Sequence, residues 1–143
     1  MVDVKKLLTK LVDMFTCELI YDGSFTNGTT SLSKSVTNYK RIKILYTDND
    51  GTTMTREVIN NNSNVATYCE SVRVTGEMYL KSMIVDLTGS TMKSTYNRQK
   101  AGTASPTQGS YITVKKIYGY RSLVGGVLHN LFTVNPCKGV AVC

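Results

Sequence analysis

The residues best suited to chemistry lie close together in the stretch YKRIKILYTDNDG, residues 39–51, which ends in DNDG. Acidic and amide oxygens followed by a glycine suggest part of a calcium-binding loop. The spacing does not fit such a loop, because Tyr46 occupies the first ligand position and Glu57, six residues after Gly51, falls in a predicted strand. Asp and Gly both tolerate the positive φ of a tight turn. The stretch is therefore predicted to form a turn that binds no metal.

Catalysis finds little support in the remaining residues. His129, the single histidine, lies in the apolar stretch GGVLHNLF, and neither a GxSxG nor a CGSC motif accompanies it. The segment GTASPTQGS lacks the GK[ST] of a phosphate-binding loop. The sequence predicts a protein that is not an enzyme and needs no cofactor. One enzymatic hypothesis remains, a small carbohydrate-active enzyme whose acidic residues are brought together by folding.

The four cysteines, Cys17, Cys69, Cys137 and Cys143, are scattered and form no CxxC pair. With one histidine in the chain, a zinc site would require all four thiolates, so zinc is not expected. A disulfide could close the terminal CKGVAVC in an oxidising compartment. The N-terminal MVDVKKLLTKLVDMF does not have the pattern of a signal peptide, so free thiols are the expectation.

The net charge is +7, from 17 Lys and Arg against 10 Asp and Glu. The cations are spread along the chain and cluster only in pairs, which is typical of a solvated basic face rather than a dedicated nucleic-acid surface. The alternative is a basic nucleic-acid-binding β-barrel, on which tyrosines beside Lys and Arg stack with bases. No apolar run approaches the length of a membrane span, so none is expected.

A helix is predicted over residues 3–16. Asp3 can cap its start, and the spacing of Val4, Leu7, Leu11 and Met14 follows a heptad seam, which Leu8, Val12 and Phe15 widen. Two heptads do not hold a coiled coil by themselves. The apolar face must therefore pack on its own domain or on other copies of the helix. For the second case the predicted oligomerisation residues are Val4, Leu7, Leu8, Leu11, Met14 and Phe15.

After Cys17 the apolar period changes from about 3.6 to 2, which indicates strands. Ile42, Ile44 and Tyr46 share one face, and a hairpin is predicted across the Asp-Gly step that follows them. A bulge is expected near Ser82, and residues 97–109 are predicted to be the longest structureless stretch. About seven to nine short strands indicate an all-β fold, a β-sandwich or jelly roll behind an N-terminal helix.

The predicted organisation has three parts. Residues 1–17 form a helix for oligomerisation or attachment, residues 18–121 form the β-sandwich domain, and residues 122–143 form an apolar extension that contains Gly and Cys.

Two motifs in order carry a family resemblance. The run LSKSVTNY, from Leu32 to Tyr39, leads into IKILYTD, from Ile42 to Asp48, and a later strand reads YITVKKIYGY, from Tyr111 to Tyr120. In this order, across roughly residues 19–121, they resemble the small β domain at the ends of fibre-like proteins of bacteriophages. This chain departs from that pattern in continuing past Tyr120 and in lacking a long shaft.

The resemblance implies a virion surface protein, either a tail fibre tip, a tail-associated adhesin or a head fibre. The two departures favour a compact accessory or decoration protein. Such a protein would be made in the host cytoplasm and displayed on the particle as a homotrimer, joined by the N-terminal helix. Its partners would be copies of itself, other virion proteins and a bacterial surface receptor or glycan for host attachment. The matching motifs are predicted scaffold strands, so no binding residues are carried over.

Overall fold

A computed structural model of the chain describes residues 3–60, 64–72 and 78–121, with side chains described for residues 3–12, 16–60 and 78–121. In these residues one α-helix precedes nine strands in two antiparallel sheets, which confirms the predicted all-β fold behind a short helix. The predicted C-terminal extension, with His129, Cys137 and Cys143, lies outside them. The helix is α1 (Val4–Phe15), and the strands are β1 (Cys17–Phe25), β2 (Gly28–Ser31), β3 (Arg41–Asp48), β4 (Thr53–Ile59), β5 (Asn64–Val72), β6 (Met78–Thr88), β7 (Thr91–Ala101), β8 (Thr107–Gln108) and β9 (Ile112–Tyr120).

The two sheets are built from interleaved parts of the chain. The first sheet has the strand order β1-β9-β3-β4, and the second has the order β2-β7-β6-β5, with β8 paired to β7. The chain crosses between the sheets after β1, β2, β4 and β8, and a short 3-10 helix, Val36–Asn38, lies on the second of these crossings. Each sheet is therefore assembled from separate parts of the chain, the first from β1, β3–β4 and β9 and the second from β2 and β5–β8.

The core lies between the sheets, where alternate side chains of each strand point inward. From β3 of the first sheet come Ile42, Ile44 and Tyr46, as their spacing predicts. From β6 of the second sheet come Met83 and Val85. The other members of this cluster are Ile20, Phe25, Leu32, Val36, Tyr39, Leu87, Met92, Ile112, Val114 and Ile117.

The predicted hairpin is confirmed. Strands β3 and β4 pair in antiparallel register up to Thr47 and Thr53. Gly51 adopts a φ of 87°, in the left-handed region where glycine carries no steric penalty. Asp48 Oδ1 accepts hydrogen bonds from the backbone N–H of Asp50 at 3.1 Å and of Thr52 at 2.8 Å. The acidic stretch thus folds its own turn.

Two local predictions are wrong. Residues 97–109 are not structureless, because β7 continues to Ala101 and β8 pairs with it through Thr107 and Gln108. The register shift between β6 and β7 lies between Ile84 and Asp86 rather than near Ser82. Within residues 97–109 polar residues occupy regular strand positions, and the hydrophobic pattern alone does not show the strand.

The expectation of free thiols is also wrong for Cys17, at the start of β1, which is disulfide-bonded. The expectation followed from the N-terminal pattern, which carries no information about which cysteines meet in the folded chain. The proposed pairing of Cys137 with Cys143 falls outside the described residues.

Candidate functional site

Helix α1 begins and ends with satisfied backbone groups. Asp3 Oδ1 accepts a hydrogen bond from the backbone N–H of Lys6 at 3.2 Å, which caps the N-terminus. The N–H of Thr16 donates to the Val12 carbonyl at 3.0 Å and closes the last turn. The helix is 12 residues long, or about 18 Å.

The apolar face of α1 is exposed. Val4, Leu7, Leu8, Leu11 and Val12 are each between 51% and 64% exposed. None of them belongs to the cluster between the sheets. The sequence allowed this face to pack either on its own sandwich or on other copies of the helix. The sandwich does not cover the described side chains. The side chains of Met14 and Phe15, the other two predicted oligomerisation residues, lie outside the described ones.

The helix joins the sandwich through a single residue. Thr16 adopts an extended conformation between the end of α1 and Cys17, the first residue of β1. The contacts that fix the first residues of β1 therefore also determine where α1 begins to leave the sandwich.

Glu18, near the start of β1, is held by three donors from separate parts of the chain. Its Oε2 accepts a hydrogen bond from the Tyr39 hydroxyl at 2.8 Å and forms an ion pair with Lys34. Its Oε1 accepts from Arg121 Nε at 3.0 Å and Nη2 at 2.7 Å. Hydrogen bonds from Lys34, Arg121 and Tyr39 lower the pKa of Glu18 from 4.5 to about 2. We name this set the Glu18 network.

The lowered pKa of Glu18 predicts a loss of stability in acid. Its contribution is complete above pH 4.5 and disappears as the pH falls through about 2, because protonation removes the acceptor. We expect about 1–2 kcal/mol to be lost over that window. Urea denaturation as a function of pH measures this loss. Glu18→Gln should be less stable than wild type at pH 7 and equal to it near pH 2, whereas a constant difference would contradict the prediction.

Three charged residues meet in the interior at one end of the sandwich. Lys81, on β6 of the second sheet, is fully buried, and its Nζ lies 3.0 Å from Asp48 Oδ2 and in contact with Asp50 Oδ2. The Asp48 side chain is 1% exposed and that of Asp50 is 37% exposed. Burial disfavours the ammonium form of Lys81, but the hydrogen bonds to Asp50 and Asp48 outweigh it and raise its pKa. The Lys81 ammonium occupies the place between the carboxylates where the calcium hypothesis would put an ion.

Asn97 makes a second polar connection between the sheets. From β7 of the second sheet, its amide nitrogen donates to the carbonyl oxygens of Thr26 at 3.0 Å and Ile112 at 2.7 Å. Its Oδ1 accepts from the backbone N–H groups of Tyr111 at 3.2 Å and Ile112 at 3.1 Å. A fully buried amide therefore satisfies four backbone groups, those of Thr26, Tyr111 and both groups of Ile112.

Many of the cations are neutralised by carboxylates within the described side chains. Lys34 and Arg121 pair with Glu18, and Lys81 pairs with two aspartates. The remaining ion pairs are Arg41–Glu57, Lys43–Glu57 and Lys116–Asp22. This pairing reduces the positive field that phosphate backbones would require.

One outward surface combines cations with an aromatic ring. On β7, Lys93, Arg98 and Lys100 are exposed and Tyr96 is half-buried. The Arg98 guanidinium lies 4.8 Å from the centre of the Tyr96 ring, and its Nε donates to the Gln108 side chain at 3.3 Å. We name these four residues the β7 outer strip. The strip thus carries three exposed cations, one of them over an aromatic ring of the same strand.

Sequence reasoning found part of this site. It placed Val4, Leu7, Leu8 and Leu11 on one helix face, and the structure leaves that face open. It missed Glu18, Lys81 and Asn97, whose partners lie in distant segments. No local pattern marks these three positions, because a polar residue in a strand normally predicts a solvent-facing side chain.

Comparison with known proteins finds no protein family whose model matches the chain and no curated protein that matches it. In the part of the chain that the structure describes, no helix has both the length and the apolar character needed to cross a lipid bilayer.

Proposed function

We propose that the chain is a structural, surface-binding component of a bacteriophage virion, a head fibre, decoration protein or tail-associated adhesin, that assembles through α1. The observation that carries this proposal is the apolar face of α1, which the sandwich leaves exposed to solvent. A contiguous exposed apolar stripe of this kind marks an interaction surface. The resemblance of the strand motifs to phage fibre domains supplies the virion setting.

The occupant of that face is best explained as further copies of α1. Its seam repeats at heptad spacing, which packs against an identical seam. The cations Lys5, Lys6 and Lys10 lie outside the seam and remain exposed. A homotrimer follows from the fibre resemblance, and the sandwiches would add contacts that two heptads alone do not provide.

The native mass in solution tests this assembly. We expect an oligomer, and we expect Leu7→Glu/Leu11→Glu to convert it to monomer, because the four or six introduced charges would meet in the seam. Light scattering coupled to gel filtration measures the mass. Lys6→Glu/Thr9→Glu is the matched control on the opposite face and should leave the oligomer intact. A wild-type monomer would overturn assembly through α1.

On an oligomer, binding to a host surface would be multivalent. Several weak sites raise the effective concentration, so no deep pocket is required. The β7 outer strip is the surface we assign to a bacterial receptor or glycan.

The β7 outer strip also keeps the nucleic-acid alternative open. A nucleic-acid binder would take up labelled single-stranded DNA at low salt and release it steeply as salt rises. An adhesin should show no DNA binding at either salt concentration.

A further inference from the structure

We propose that Lys81 and Asp48 form a covalent amide bond that joins the two sheets, with Asp50 carrying the protons. This inference does not depend on the proposed function. It rests on the position of one buried amine between the carboxylates of Asp48, at the end of β3, and Asp50, in the turn that follows.

The reacting groups are close and shielded from water. Lys81 Nζ lies 3.0 Å from Asp48 Oδ2, and the two side chains are 0% and 1% exposed. Each comes from a regular strand, β6 for Lys81 and the end of β3 for Asp48, so the pair is held in place by both sheets. Two reactive groups that are held in contact react as if at very high concentration.

The other oxygen of Asp48 is prepared for the intermediate. When the Lys81 amine attacks Cγ, negative charge develops on Oδ1. That oxygen already accepts hydrogen bonds from the N–H groups of Asp50 at 3.1 Å and Thr52 at 2.8 Å. These two donors form an oxyanion hole, and they remain bonded to the same oxygen when it becomes the amide carbonyl.

Asp50 is placed to move the protons. Its Oδ2 contacts Lys81 Nζ, and its side chain is 37% exposed, which gives it access to solvent. Lys81 begins as an ammonium, as its raised pKa requires. Asp50 removes a proton from the nitrogen, which leaves the amine free to attack, and delivers it to Asp48 Oδ2.

The reaction is a condensation. The C–N bond forms between Asp48 Cγ and Lys81 Nζ, and the bond from Cγ to Oδ2 breaks. Of the three ammonium protons, one stays on the amide nitrogen and two leave with Oδ2 as water. Asp50 carries each of those two and is unchanged at the end, so no oxidant or other reactant is needed.

Burial favours the product. The ion pair keeps two opposite charges in the interior, where the loss of hydration offsets much of their attraction. The amide is neutral and leaves a single carboxylate, that of Asp50, at the solvent-facing side. The water produced leaves past Asp50.

Mass spectrometry of the full chain, reduced and denatured, tests the proposal. We expect a mass lower than that of the sequence by one water. We also expect a branched tryptic peptide in which residues 44–56 are joined to residues 74–93, with no cleavage after Lys81. An unmodified mass, with cleavage after Lys81, would show an ion pair only and would overturn the proposal.

Variants assign the roles. Asp48→Ala and Lys81→Arg should each have the full mass of their own sequence. A near-native circular dichroism spectrum of Lys81→Arg would show that this variant lacks the bond although it is folded. Asp50→Asn keeps both reacting groups and should form the bond at least tenfold more slowly after synthesis, measured as the loss of one water in samples taken over time. If the bond persisted in Asp48→Ala and was lost in Asp50→Ala, Lys81 would be joined to Asp50 instead. That result would overturn the proposed bond to Asp48.

Discussion

Replacing Asn97 with leucine is expected to lower the free energy of unfolding by about 3–5 kcal/mol, because it leaves several buried backbone groups without partners. The carbonyls of Thr26 and Ile112 lose their donor, and the N–H groups of Tyr111 and Ile112 lose their acceptor. Leucine has a similar volume, so the effect reports the hydrogen bonds rather than a cavity. Urea denaturation at pH 7 measures it.

The isosteric change Asn97→Asp sharpens this prediction. The introduced carboxyl can still accept from the two N–H groups, but its second oxygen faces the Thr26 and Ile112 carbonyls, at the positions where the amide nitrogen lies 3.0 and 2.7 Å away. Burial against these oxygens raises its folded-state pKa above the unfolded value of about 3.9. The variant is therefore closest to wild type below that pH and loses stability as the pH rises toward neutrality.

Asn38→Leu is the matched control, because Asn38 is exposed at the end of the 3-10 helix. It should change the free energy of unfolding by less than about 0.5 kcal/mol. If Asn97→Leu were as mild as this control, or if Asn97→Asp were equally stable at every pH, Asn97 would not connect the sheets in the way described.

Gly119→Ala is expected to cost about 2–4 kcal/mol through overpacking. A Cβ at Gly119 would lie 2.4 Å from Cγ of Tyr39 and 2.6 Å from both of its Cδ atoms. The Tyr39 ring cannot easily move away, because it is 2% exposed and its hydroxyl donates to Glu18. Thermal unfolding should show the loss as a lower melting temperature.

Gly23→Ala provides the comparison on the neighbouring strand β1. There the added Cβ meets Tyr21, with its nearest contact at 2.7 Å to the hydroxyl oxygen at the end of a partly exposed side chain. The side chain can rotate aside, so the cost should be below about 1 kcal/mol. In a double-mutant cycle, Tyr39→Ala should remove most of the Gly119→Ala penalty, and additive effects would contradict the contact as its cause.

The parts of the fold that obey hydrophobic periodicity could be predicted. Ile42, Ile44 and Tyr46 alternate in sequence and point into the core, and the Asp-Gly step after them forms the hairpin turn. The helix followed from its heptad spacing and its Asp3 cap. In each case the signal is contained within a few neighbouring residues, so pairing with distant segments is not needed to read it.

The polar interior could not be predicted. On β6 the inward positions include Lys81, whose charge predicts a solvent-facing side chain. The apolar residues of this segment do not keep strict alternation, which predicts a bulge near Ser82. Asn97 marked the start of a presumed loop. Each side chain is stable inside only because partners from another sheet or crossing satisfy it, and those partners lie at least 14 residues away.

The open helix face could be predicted only in part. The sequence showed an apolar stripe and two ways of covering it, on the sandwich or on other copies. That choice depends on where the helix lies relative to the sheets, which no local pattern encodes. The Glu18 network likewise depends on three segments meeting at the base of β1.

The single-residue joint at Thr16 has a mechanical consequence. If a long flexible linker joined the two elements, a force on the sandwich would first extend that linker before it acted on the helix. Here a pull on the sandwich passes from β1 through Thr16 into α1. The Glu18 network lies two residues from that joint. A force applied through α1 should therefore reach the Glu18 network directly, and that network should break at a lower force in acid, where Glu18 is protonated.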